Sequence, residues 1–309
     1  PSTAMVVVHT DGTLTVQSAA SDIGCGQRTV MAMIAAETLG IPYAQTGIAI
    51  EVDTDVTPDT GGTFGSRMTN SGGWGVYEAA MDARRQLLEG AAKKFVADAK
   101  RETPPRDIKV TPADLDIQNG VVLVKSDPKM QMQMAAAVAT VVPGNPVMGR
   151  GSHFDDPTWE RLAWGAHAAE VEVDTGTGTV KVLRYVAAHD VGRALNPKAV
   201  EQQIEGGAIM GLNAALAEQL LIDKATGIPI TDNILEYKML SIQDVPRTVE
   251  TILVENAKAY GVYGIHGIGE PPIAVPPPTI ANAIYNAIGV WTESLPITRE
   301  KILAALKKA

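Results

Sequence analysis

Three glycine-rich runs constrain this chain more than any other feature, because each stands just ahead of a helical stretch. Ser21-Asp-Ile-Gly-Cys-Gly-Gln-Arg-Thr29 opens a helix predicted over about 28–39, which Gly40 and Pro42 end. Thr60-Gly-Gly-Thr-Phe-Gly-Ser-Arg-Met-Thr-Asn-Ser-Gly-Gly73 leads into a long helix predicted over about 75–101. Gly264-Ile-His-Gly-Ile-Gly-Glu-Pro-Pro272 lies a few residues before the helical pattern of 279–288. Glycine lets backbone approach a ligand closely, and amides at a helix N-terminus bind phosphate. The first two loops therefore suit a phosphorylated, polycyclic ligand gripped from two sides. Tight turns and packing glycines are the plainer reading, and composition alone does not separate them.

The third loop carries a lone carboxylate, Glu270. A residue before proline is steered away from the helical region, so Glu270 is expected on extended or turned backbone. A single Glu in a rigid, glycine-lined loop has the form of a general base beside a cofactor. It also has the form of a solvated loop side chain.

The remaining pattern is α+β. Residues 5–18 read as a hairpin turning at Thr10-Asp-Gly12, and Thr46–Asp53 as a strand. Residues 115–124 form a hairpin about Asn119-Gly120, with a Met- and Ala-rich helix at about 130–140. Residues 143–157 read as irregular. A long hairpin spans 166–174 and 179–189, and Asn196 caps a helix running from Pro197 to about 217. Strands near 218–222 and 248–255 follow, and the last helix starts at Pro296-Ile-Thr298. The expected fold is two subdomains of mixed β-sheets with long packed helices, divided as 1–105 plus 160–200 and 106–159 plus 201–309.

Charge and composition narrow the function. The net charge of −9 has no basic block to offset it, which argues against nucleic acid. Cys25 is the single cysteine, so the chain holds neither an internal disulfide nor a cysteine-ligated cluster. No apolar run approaches the roughly 18 residues of a membrane span. The N-terminus shows no signal-peptide pattern, and the low cysteine count suits the cytoplasm. The five histidines show no metal spacing, and His189 reads as structural. Met5–His9 puts a strand pattern almost at the start, as in the second half of something larger.

Five motifs in order resemble the second half of the molybdenum-binding domain of the xanthine oxidase and aldehyde oxidase family. These are Ser21–Val30, Ala35–Pro42, Gly65-Ser-Arg67 with Ser71-Gly-Gly73, Asp190–Pro197 with Gln203-Ile-Glu-Gly206, and Gly267-Ile-Gly-Glu-Pro-Pro272. The resemblance covers nearly the whole chain. It implies a molybdenum–molybdopterin cofactor in the cytosine dinucleotide form, contacted by Gly24, Cys25, Gly26, Gln27, Ser66, Arg67, Gln203 and Gly269. It assigns no direct metal ligand to this chain. It implies that Glu270 takes the proton from a molybdenum-bound hydroxyl attacking an electrophilic carbon, with hydride passing to the metal centre. The substrate would be an aromatic N-heterocycle or an aldehyde-type compound.

Two departures from the family pattern matter. Cys25 stands where the family usually has Gln between two glycines, and the amide's donors and acceptor go with it. The family's first molybdenum half, its iron–sulfur cysteines and its flavin domain have no counterpart here. The chain is therefore expected to work with a sister subunit carrying that half, and with 2Fe–2S and FAD subunits. Non-redox, hydratase-like chemistry and a non-catalytic scaffold are the competing readings.

Overall fold

The computed structural model describes residues 2–48, 52–155, 162–256 and 259–307. It divides into two compact units. Unit 1 comprises Pro1–Glu160 with Tyr260–Ile265, and unit 2 comprises Arg161–Ala259 with His266–Ala309.

Unit 1 is built on a four-stranded sheet and a long helix. The strands β1 (Ser2–Val8) and β2 (Leu14–Gln17) form the expected hairpin, and β3 (Thr46–Ile48) pairs parallel with β2. The predicted continuation of β3 over 49–51 lies outside the described residues. Helix α1 (Gln27–Leu39) and helix α2 (Gly73–Arg101) follow the two glycine loops, and a π-helical turn at Met68–Gly72 leads into α2. Alternating residues of β1 and β2, among them Val6, Val8, Leu14 and Val16, are fully buried. The faces of α1 and α2 add Met31, Ile34, Val76, Ala83 and Leu87 to the buried set. Strands β4 (Leu115–Gln118), β5 (Val121–Val124) and β6 (Asp127–Gln133) make a separate antiparallel sheet, with α3 (Met134–Val141) behind it.

The segment expected to be irregular at 143–157 contains a strand, β7 (Val147–His153), paired antiparallel along the length of β1. Residues 156 and 157 lie outside the description. The sequence hides β7 because two of its residues are glycine, a poor strand former. A Cβ at Gly149 would run into the Ala79 carbonyl, and one at Gly151 into the Gly75 carbonyl. The glycines thus let α2 lie almost on the sheet. Residues 130–133, expected in a helix, belong to β6, where the alternation Met130, Gln131, Met132, Gln133 has period two.

Unit 2 holds a three-stranded sheet in the order β10-β9-β8. The expected long hairpin is β8 (Gly165–Asp174) with β9 (Thr179–Asp190), and β10 (Val249–Val254) pairs parallel with β9. Helices α4 (Pro197–Leu216), α5 (Pro271–Ala274), α6 (Pro276–Ile288) and α7 (Arg299–Leu306) complete it. Asn196 caps α4 as expected, accepting from the Ala199 N–H at 3.2 Å. Tyr185, Ile204, Leu212, Ile280, Ile284 and Ile302 form its buried centre. The strand expected at 218–222 is absent as an element; an isolated bridge between Ile222 and Pro229 stands in its place.

The observed division differs from the one expected. Residues 106–155 belong with 1–105 because β7 pairs with β1 and packs on α2, contacts far apart in sequence. The six residues Tyr260–Ile265 also fall in unit 1.

Candidate cofactor and catalytic loops

In unit 1, the first glycine loop ends on Gly26, the N-cap of α1, in the left-handed conformation at φ 74°. No side chain caps this helix and its first turn carries no acidic residue. The amides of the first turn have no intrahelical acceptor, so the terminus is electropositive and open to an anion. Asp22 occupies part of the loop: its Oδ1 accepts from the Gly24 and Gly26 N–H groups at 3.0 and 3.1 Å. A Cβ at Gly24 would meet nothing within 4 Å. Cys25 is half-buried and free. Gln27 is buried and its Oε1 has no partner among the described residues.

The second loop bends through Gly65 and Ser66, both at positive φ. The Arg67 guanidinium donates to the Thr60 carbonyl at 2.8 Å and to Ser2 Oγ at 2.6 Å, so it braces this loop against the start of β1. Asn70, which no motif named, and Ser71, which opens the Ser71-Gly-Gly73 motif, lie in the π-helical turn that follows. Asn70 and Ser71 are buried, and Asn70 Oδ1 and Ser71 Oγ lack partners among the described residues. The other end of Asn70 is engaged, Nδ2 donating to Tyr260 Oη at 2.9 Å. Trp74 Nε1 donates to the Tyr260 carbonyl at 3.0 Å, and Tyr263 Oη pairs with Thr38 Oγ1 at 2.7 Å. The signal was present in the sequence, since Asn70-Ser71 directly precedes the Gly72-Gly73 pair.

Buried polar atoms without partners are costly, at about 1–3 kcal/mol each. Gln27, Asn70 and Ser71 place three such atoms in the two loops beside or after which helices begin. The donor and acceptor set fits a ligand bearing phosphate and a hydrogen-bonding heterocycle.

In unit 2, Glu270 is exposed and is the N-cap of α5, at φ −114° and ψ −27°. Of the extended or turned backbone expected, the turned form is found, in a bend that starts a helix, the following prolines occupying the first helical positions where a missing N–H costs nothing. Gln203, on α4, donates through Nε2 to the Gly269 carbonyl at 2.6 Å. Gly207 and Gly211 line the same helix against Pro272 and Pro276, where a Cβ would stand 2.6 Å from the proline ring atoms. Upstream, the His266 N–H donates to the Val191 carbonyl at 3.0 Å, and His266 Nδ1 lies 3.3 Å from Asp190 Oδ1. The Asp190–Pro197 stretch, Gln203 and the Glu270 loop, separate motifs in the sequence, are thus one hydrogen-bonded assembly. The predicted residues therefore form two groups: Gly24, Cys25, Gly26, Gln27, Ser66 and Arg67 in unit 1, and Gln203, Gly269 and Glu270 in unit 2.

A further polar cluster in unit 2 involves His167, Tyr185 and His189. His167 Nδ1 is 2.8 Å from Tyr185 Oη, and its Nε2 is 2.7 Å from His189 Nε2. Burial lowers the pKa of His167 to about 4, with the neighbouring His189 adding to the effect. Burial also lowers His189 and raises Tyr185. Among the described residues, no group of three or more His, Cys, Asp or Glu could hold a metal ion. Nor is any helix there long and apolar enough to cross a membrane.

The profile of the molybdopterin cofactor-binding domain family matches residues 1–246. The chain belongs to this family. It is 31% identical over 301 residues to the xanthine dehydrogenase molybdenum-binding subunit of Escherichia coli O157:H7, covering 97% of this chain and 38% of that protein. It is also 31% identical to the gamma subunit of the 6-hydroxypseudooxynicotine dehydrogenase complex of Paenarthrobacter nicotinovorans, covering 97% of this chain and 37% of the relative. The quinoline 2-oxidoreductase of Pseudomonas putida 86 superposes with a TM-score of 0.86 at 27% identity, over 99% of this chain and 38% of that one. The molybdopterin-binding domain described here thus spans under two fifths of the length of these relatives. The resemblance read from the five motifs and the α+β fold agree with these matches.

Proposed function

We propose that this chain is the molybdopterin-binding part of a heteromeric molybdenum hydroxylase or dehydrogenase. Its substrate is an aromatic N-heterocycle or an aldehyde-type compound with an electrophilic carbon. The observation that carries this reading is the set of buried, unpartnered acceptors at Gln27, Asn70 and Ser71, in the loops of a chain whose family is defined by molybdopterin binding.

Bound molybdenum–molybdopterin, in the cytosine dinucleotide form, supplies Lewis acidity and a two-electron acceptor. The first-turn amides of α1 hold phosphate, with Gly24, Cys25 and Gly26 allowing close approach. Gln27, Asn70 and Ser71 hydrogen-bond the heterocycle, and Arg67 and Ser66 hold the second loop in its bend. Glu270 takes a proton from the attacking oxygen at its carboxylate, a contribution worth about 10²–10⁴ in rate. Gln203 fixes the Gly269 carbonyl and so the backbone that carries this base. A sister part supplies the remaining half of the molybdenum-binding subunit, and 2Fe–2S and FAD subunits carry electrons away. The complex acts in the cytoplasm.

The test starts from the complex purified through this chain. Molybdenum is measured by elemental analysis, and the released pterin nucleotide by mass spectrometry. Glu270→Gln is expected to keep the metal and lose turnover by at least about a hundredfold. Turnover near wild type with metal bound would replace the base with a scaffold role. Turnover without electron transfer would point to hydratase-like chemistry.

A further inference from the structure

The stretch from Glu218 to Asp244 in unit 2 contains no helix or strand, yet it has a fixed internal shape. Residues 221–230 form a small hairpin. Ile222 bridges Pro229, the Asp223 N–H donates to the Ile228 carbonyl, and the Ile230 N–H donates to the Leu221 carbonyl. Asp223 closes the turn by accepting from the Ala225 and Thr226 N–H groups. Thr231, buried, accepts from the Leu221 N–H and donates to the Gln219 carbonyl. At its far end the arm is tied to α4, the Leu240 N–H donating to Asn213 Oδ1 at 2.6 Å.

Its side chains are arranged contrary to a solvated loop. Ile234 is 85% exposed, Leu235 76% and Ile242 88%. Leu220, Ile222, Ile228, Ile230 and Met239 are also exposed. Several of the polar groups are spent internally: Asp244 accepts from Ser241, and Glu218 accepts from Tyr237. An isolated two-stranded hairpin is marginal in water, and exposed apolar surface on this scale marks an interaction site. One side of a standard interface takes about 20–30 residues; the stretch Glu218–Asp244 has 27. The chain spans 38% of a relative such as the molybdenum-binding subunit of Escherichia coli O157:H7. Most of such a subunit therefore lies outside the span matched here, which supplies an occupant large enough for an apolar surface of this kind.

We propose that the arm between Glu218 and Asp244 is the docking surface for the rest of the molybdenum-binding subunit, the portion of its relatives that this chain does not span. The inference rests on the reading that this chain is one part of a larger molybdenum-binding subunit. It adds which surface makes the joint. Ile234, Leu235 and Ile242 are its outward anchors, and the 221–230 hairpin is its second contact.

The test is made on the assembled complex. A photo-crosslinking phenylalanine analogue is introduced in place of Ile234 and, separately, of Ile242. After irradiation the joined peptides are identified by mass spectrometry, and molybdenum and pterin are measured on the same sample. Crosslinks from both positions to the remaining portion of the subunit are expected. The double variant Ile234→Glu with Ile242→Glu is expected to lower recovery of the complex at least tenfold, with the circular dichroism of this chain unchanged. Crosslinks between two copies of the arm, or to an iron–sulfur or flavin subunit, would overturn the assignment. So would the absence of crosslinks in a sample that holds molybdenum and pterin, and the function proposed above would then stand without it. A preparation with neither metal nor the remaining portion would overturn both.

Discussion

Acidification should loosen unit 2 through His167. The ring sits between Tyr185 Oη and His189 Nε2, with His189 buried behind it. Two Nε2 atoms 2.7 Å apart share one proton, so the two rings cannot both be protonated in this geometry. Burial lowers the His167 pKa from 6.5 to about 4. A depressed histidine is neutral in the fold and gains a proton on unfolding. Its contribution is complete above the unfolded value and is lost as pH falls from 6.5 towards 4. At pH 5 the lost stability is about 2 kcal/mol by linkage, and about 1 kcal/mol once partial exposure of the ring is allowed for. His189, lowered in the same direction by burial, adds to the loss of stability as pH falls below 6.5. The assay is the imidazole resonances of the folded chain between pH 4 and 8, followed in parallel with thermal unfolding. His167→Gln is expected to flatten the pH dependence of unfolding between 6.5 and 5. A His167 resonance titrating near 6.5 in the folded protein would refute the reasoning. An unchanged slope in the variant would do the same.

Three further outcomes follow from the packing and the caps. Gly151→Ala sets a methyl against the Gly75 carbonyl where α2 meets β7, and should destabilise unit 1 by about 1–3 kcal/mol in chemical unfolding. Asn196→Ala removes the cap of α4 and should cost about 1 kcal/mol, while Asn196→Ser should recover most of it. Gln203→Ala frees the Gly269 carbonyl; faster amide exchange at residues 267–270, with molybdenum content retained, should separate a brace of the base from a cofactor ligand.

What the sequence made legible depended on how local the cause was. Helices α1, α2 and α4 were readable because period, cap and stop signals lie within each segment: Gly40 after α1, and Asn196-Pro197 before α4. The hairpins at Asn119-Gly120 and Thr175-Gly-Thr-Gly178 were readable for the same reason. Strand β7 was not, since Gly149 and Gly151 are chosen for the approach of a helix some seventy residues earlier. The domain division failed with it, because the pairing of β7 with β1 is what draws 106–155 into unit 1.

The site shows the same split at finer scale. Motif residues such as Gly26 and Glu270 announce themselves through neighbours: an open helix start in one case, two prolines in the other. Asn70-Ser71 is marked in the sequence by the Gly72-Gly73 pair after it, but that its atoms are buried and lack a partner among the described residues is a property of the surroundings. Arg67 enters the sequence reading as a cofactor contact implied by the resemblance, and in the fold its guanidinium also braces Thr60 and Ser2. The arm at 218–244 inverts the usual signal. Its isoleucines and leucines read as a core strand near 218–222, and the fold leaves them outside. An apolar run that earns neither a strand nor burial in its own unit is evidence of a surface completed by something else. The same relation of 38% coverage to exposed apolar surface makes the arm the place to look for it.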